Sequence, residues 1–210
     1  MTISIELEAP IQGHSVDELK DWSSLWGDLL HVDMVLLARE GLPNDGPSLF
    51  ARRALWEAAV VAYGRTAISG RRQQQVGELV RILGHDAEKC HEEVMAWRNQ
   101  HAAHRVDLAR EKVDVRAILD PEPRRVKRIG IRVSPVLGPE DEGGALAARF
   151  QTHVKGLRDL TFDQRIRPLE RIVIEECAGD IESLLQDAKP AEAPAVKGLS
   201  IDISPSGQET

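Results

Sequence analysis

The apolar rhythm of this chain changes once, near residue 110, and that change constrains the fold more than any other feature. Up to Leu108 apolar residues recur every three or four positions. From Val113 the sequence V-D-V-R-A-I-L alternates with period two, D-P-E-P follows, and I-G-I-R-V alternates again. Spacing of three and four lines one face of a helix, whereas spacing of two lines one face of a strand. A β-hairpin over 113–133, with its turn at Pro121–Pro123, is therefore expected inside an otherwise helical chain. Two strands alone are marginal in water, so the hairpin is expected to lean on the helices.

The helical part divides at its breakers. S-V-D-E at Ser15–Glu18 fits a capping box, opening a helix that carries Leu19, Trp22, Trp26, Leu29 and Leu30 and stops at Gly41 and Pro43. Pro47 suits a first helical turn, and the Ala- and Val-rich stretch that follows predicts a central helix closed by Gly70. A shorter helix spans Gln73–Leu83, ended by Gly84, and Asp86 can cap the next. After Pro139, Leu146, Phe150, His153 and Leu157 share a face. T-F-D-Q at Thr161–Gln164 matches a second capping box, and Pro168 either starts or kinks the helix that carries Leu169, Ile172, Val173 and Cys177. The expected fold is mainly α, a bundle of five to six helices with one inserted hairpin, forming a single domain over 1–187. From Ala188 to Thr210 the composition is rich in Pro, Ala and polar residues and predicts a disordered tail.

Composition narrows the function classes. With 42% hydrophobic and 29% charged residues the chain reads as globular, and with 4% aromatics its core is expected to rest on Leu, Val, Ile and Ala. A net charge of −7 argues against avid non-specific nucleic-acid binding. Between Leu108 and Gly138, however, eight basic residues face four acidic ones, and Arg124, Arg125, Lys127 and Arg128 at the hairpin tip are candidates for phosphate contact. The two cysteines, Cys90 and Cys177, lie in helical patterns and are expected to be reduced and buried. Neither a secretory signal nor a membrane-spanning run is visible, so a cytoplasmic, soluble protein is expected. There is no P-loop, no G-x-G-x-x-G, no G-x-S-x-G and no zinc-ligand spacing, so neither a metal nor a cofactor is expected.

The helix after Asp86 places Ala87, Cys90, Val94 and Trp97 on one face, and the same rhythm carries His101, His104 and Leu108 onto it. The histidines sit within R-N-Q-H-A-A-H, Arg98–His104. Six residues at 100° each put Arg98 and His104 about 120° apart on a regular helix, whereas Arg98 and His101, and His101 and His104, are near neighbours. The small pair Ala102–Ala103 leaves room for a close helix neighbour. Packing of two copies along this seam could bring Arg98 and His104 to one groove despite that angle.

This stretch resembles the R-N-x-x-x-A-H form of the HEPN superfamily of helical bundles, in which an arginine and a histidine lie four to six residues apart with a polar residue after the arginine. The resemblance is confined to the seven motif residues and their helical context from about Ser15 to Leu108. It implies a metal-independent endoribonuclease, often a toxin or antiphage-defence effector, acting as a homodimer and in some cases held by an antitoxin or regulatory protein. By that resemblance Arg98 and His104 are the catalytic pair and Asn99 the supporting polar residue; His101, between them, has no family role but is worth testing. The residue types suit the chemistry independently. RNA carries its own nucleophile in the 2′-hydroxyl, histidine moves protons near neutral pH, and arginine offers a planar fork to a phosphate gathering charge. The resemblance equally allows a non-catalytic module that binds a nucleotide or a partner protein through the same groove. A third possibility is an oligomer in which the histidines only pack.

Overall fold

The computed structural model describes residues 7–68, 70–102, 112–120, 124–134, 139 and 145–190. Among them the chain is mainly helical: α1 His14–Glu40, α2 Leu49–Ala67, α3 Gly70–Leu83, α4 His85–Trp97, α5 Ala145–Thr161, α6 Arg167–Gly179 and the short α7 Ile181–Asp187. Two π-helical turns interrupt this pattern, Arg98–Ala102 after α4 and Phe162–Ile166 between α5 and α6. The strands are β1 Leu7–Glu8, β2 Lys112–Asp120, β3 Arg125–Ser134 and β4 Lys189–Pro190, in two antiparallel pairs, β1 with β4 and β2 with β3. The expected helical bundle with an inserted hairpin is what the chain forms. Lys189 and Pro190, assigned from sequence to the tail, pair with Leu7 and Glu8; residues 191–210 lie outside the described residues. Among the described residues no helix is long and apolar enough to cross a membrane.

Helix α2 is the centre. Trp56, Ala59, Val60 and Tyr63 are all fully buried, and the helix has no apolar stripe because neighbours cover most of its circumference. The indole of Trp56 stands edge-on to Trp97 of α4 at 5.3 Å and to Phe150 of α5 at 5.7 Å, and the Arg39 guanidinium of α1 lies over it at 5.8 Å. One side chain thus ties four helices together. As expected, most of the buried core is Leu, Val, Ile and Ala, but the few aromatics join it: Trp22, Trp56, Trp97, Tyr63 and Phe150 are all buried. A large ring buries the most area where several helices meet.

Ion pairs outline the helix seams. Arg71 and Arg72 of α3 bond Asp21 and Asp28 of α1, Arg158 of α5 bonds Asp33 of α1, and Arg149 of α5 bonds Glu93 of α4. Glu176 of α6 adds a further inter-helix contact by accepting from the Ser15 hydroxyl of α1 at 2.7 Å.

That bond corrects the first capping box. Helix α1 starts at His14 after Gly13, and Ser15 spends its hydroxyl on α6. The second box fails for a different reason. Thr161 is fully buried and donates to the Leu157 carbonyl at 2.7 Å, so it lies inside a continuing helix. The π-turn at Phe162–Ile166 then carries the chain into α6 with Pro168 in its first turn, where a missing N–H costs least. Asp86 does not cap either. Gly84, at φ 89°, provides the break before α4, in a region that L side chains rarely adopt.

The hairpin forms where alternation predicts it, but it does not lean on the helices. Its apolar residues are open to solvent, with Val115 at 66%, Leu119 at 65% and Ile131 at 69% exposure. Among the described residues no helix packs extensively against it.

Candidate functional site

The α-helical part of α4 ends at Trp97, whose ring is locked against Trp56. Arg98 follows as the first residue of a π-turn. A wider winding over Arg98–Ala102 breaks the 3.6-residue rhythm that was expected to carry the apolar stripe through His101. The backbone of His101 lies in the π-turn; its side chain, and His104 altogether, lie outside the described residues.

Arg98 itself is well defined. Its stem lies across Gly64 of α2: a methyl group at Gly64 would meet Nε at 3.1 Å, Cδ at 3.3 Å and Cγ at 3.4 Å. Glycine is what lets the arginine lie this close. Nη1 donates to the Asn99 side-chain oxygen at 2.9 Å, on the exposed side. Nε is buried and has no hydrogen-bond partner among the described residues. Such an orphan donor costs about 1–3 kcal/mol, and it keeps one N–H of the fork unsatisfied. Asn99, singled out only by its place after the arginine, is thus in contact with it.

Arg65, the residue after Gly64 on α2, faces elsewhere. It lines a groove of about 340 Å³ between α1 and α2 with His31 and Glu57. Its neighbour Gly64 makes the approach to Arg98. The tip cations Arg124, Arg125, Lys127 and Arg128 are all exposed, and Arg125 has Asp120 at 3.7 Å. No contact among the described residues joins them to Arg98.

A second polar cluster was not legible as a unit. Tyr63, the single tyrosine, is fully buried, and its hydroxyl lies 2.7 Å from His91 Nδ1 of α4 and 2.8 Å from His153 Nε2 of α5. One hydroxyl proton cannot serve two bare nitrogens. Hence one imidazole accepts from Tyr63 while the other donates to it. Burial, and then the neighbouring His91, lowers the His153 pKa to about 4; burial lowers His91 too, against a smaller opposing pull from Glu92. Burial raises Tyr63 far above its ordinary value. The cluster is neutral at physiological pH.

His153 also lines a groove of about 680 Å³ between the end of α3, α4 and α5, with Cys90, Lys89, Arg149 and Thr152 along it. Its Nδ1 is buried and has no partner among the described residues. Cys90 is buried as expected, and burial raises its thiol to about 11, so it is inert; Cys177 is only half-buried. In sequence His91 sits off the α4 stripe and His153 on an apolar one, so only α2's tyrosine between them reveals the cluster.

Comparison with known proteins brings no relative to bear: no family model, no curated protein and no solved structure matches this chain.

Proposed function

We propose that this chain is a HEPN-like, metal-independent endoribonuclease in a toxin, stress or phage-defence role, with Arg98 and His104 as the working pair. The observation that carries this reading is the state of Arg98. Its guanidinium is held by Gly64 beneath it and by Asn99 at Nη1, and its desolvated Nε–H has no partner among the described residues. A fork held in place with Nη1 on its exposed side is suited to a phosphate whose charge grows in the transition state. In the reaction the 2′-hydroxyl gives its proton to the His104 imidazole and bonds to phosphorus. The 5′-oxygen leaves and takes up a proton, and the product is a 2′,3′-cyclic phosphate. His101 is a supporting candidate, and Arg124, Arg125, Lys127 and Arg128 contact RNA phosphates. The working form is a homodimer, and a neutralising antitoxin or regulatory protein is a further partner.

Purified protein incubated with RNA in EDTA tests this. Wild type should leave cyclic-phosphate ends. His104→Ala should lose about 10²–10⁴-fold in rate, and Arg98→Ala about 10²–10³-fold. Equal silence of all three proteins on varied RNAs would overturn the reading.

The second reading is a non-catalytic module that binds a nucleotide or a partner protein. It draws on the groove of about 680 Å³ that His153 lines, where the buried imidazole Nδ1 has no partner among the described residues. Nucleotide binding that survives both substitutions, without RNA cleavage, would favour it.

A further inference from the structure

The hairpin is built to keep one face apolar along its whole length. Across the ladder, Val115 pairs with Ile131, Ala117 with Ile129 and Leu119 with Val126. All six side chains are exposed. The opposite face carries Asp114, Arg116, Asp120, Arg125, Arg128 and Arg132, with Ile118 folded over Gly130. In β3 the sequence V-K-R-I breaks the alternation, because two charged residues separate Val126 from Ile129. The register shift between Ile118 and Leu119 absorbs it. Lys127 is the extra residue, and Val126 rather than Lys127 stands opposite Leu119. A one-residue offset in a strand exchanges its two faces; here the bulge prevents a lysine from entering the apolar face.

We propose that this face is the contact through which two copies of the chain associate, ribbon against ribbon, as a four-stranded sandwich. Several features point to a second copy. The face carries no charge, so an anionic partner such as RNA has nothing to engage there, and the cations all lie on the other side or in the bulge. The pairing is also self-complementary. With a twofold axis along the ribbon, each residue faces the cross-strand partner of its own position in the other copy. Val115 then meets Ile131, Leu119 meets Val126, and at the centre the large Ile129 fills the space above the small Ala117. This is the isologous arrangement in which i meets j and j meets i. Stacking also removes the weakness of an isolated two-stranded ribbon.

Area sets the strength. Nine residues at roughly 3.4 Å each and two strands about 5 Å apart give a face of about 300 Å² per copy. The two faces together fall well below the roughly 1,200 Å² of a stable interface. The ribbon dimer is therefore weak and dissociates on dilution. The same axis brings the two cationic tips side by side, so added salt, which screens them, tightens the association.

Sedimentation equilibrium of the full chain over a concentration series is the test. Wild type should show a monomer–dimer equilibrium that strengthens between low and moderate salt. Ile129→Lys, at the centre of the face, should weaken it at least tenfold. Because that change could unfold the ribbon, Ala117→Ile is the second variant. It raises strand propensity and apolar area yet occupies the space that the other copy's Ile129 needs, and it should also weaken the dimer. A wild type that stays monomeric throughout, a dimer indifferent to both substitutions, or a dimer tightened by Ala117→Ile would each overturn the proposal. Because the readout is mass rather than RNA ends, a dimer indifferent to both substitutions overturns this interface alone, whereas a wild type monomeric throughout also counts against the homodimer of the nuclease reading.

Discussion

The helical bundle and the hairpin use the same kinds of apolar residue with opposite results. In the bundle Trp56, Val60, Leu29 and Phe150 are fully buried; in the hairpin Ile131 is 69% exposed and Leu119 65%. The difference is geometric. A helix presents its apolar face to several neighbours that the same chain supplies, so α1, α2, α4 and α5 close around each other. A two-stranded ribbon pairs half of its backbone within itself, leaves the other half to water, and gains nothing from the helices unless one lies across it. Stability is thus concentrated in one region, while unspent apolar surface remains in the other.

This contrast can be tested at several points. The largest effect should come from Trp56→Ala. It removes the ring that joins four helices and should cost about 3–5 kcal/mol in denaturant unfolding; a loss below 1 kcal/mol would mean the bundle is not organised around it. Acid should be the next largest. His153 is neutral when folded, with a pKa near 4 against an ordinary 6.5. Between those values the unfolded chain binds the proton and the folded chain does not, so stability falls as pH drops from about 6.5 to about 4 and levels off below. His91, lowered in the same direction, adds to the loss. The total for His153 is on the order of 3 kcal/mol, and His153→Gln should flatten that limb of the stability profile.

A smaller and more local effect is expected at Gly64. Gly64→Ala should leave stability within about 1 kcal/mol, because better helix propensity offsets the close contact. It should still displace Arg98 and lower any Arg98-dependent RNA cleavage about tenfold. Unchanged cleavage would separate the arginine's seat from its chemistry. The smallest effect should be at the hairpin, where Ile131→Thr is expected to change the unfolding free energy of dilute monomer by no more than about 0.5 kcal/mol. A larger loss would show that the ribbon's apolar face packs on its own bundle.

Much of this was legible, and the failures share a cause. Helices were readable from Ala87, Cys90, Val94 and Trp97, and the strands from V-D-V-R and I-G-I-R, because periodicity is a local property. Both capping boxes misled, since a Ser or Thr three residues before Glu or Gln says nothing about what else the hydroxyl can reach. Ser15 found Glu176, 161 residues away, and Thr161 found its own helix. The π-turn at Arg98 was equally hidden, because the stripe of α4 gives no sign that its winding changes there. Gly64 carried a usable signal, as a glycine inside a helix often marks a close approach.

The sequence by itself determined the main helical segments and the two hairpin strands, and that Arg98, Asn99 and two histidines lie within seven residues. These follow from the spacing of apolar side chains and the backbone limits of Gly and Pro. Only the tertiary structure decided that Arg98 rests on Gly64 with one donor unspent, that Tyr63 joins His91 to His153, and that the hairpin keeps its apolar face open. Each of those depends on residues dozens of positions apart arriving at the same point, and contacts of that kind leave no period in the chain.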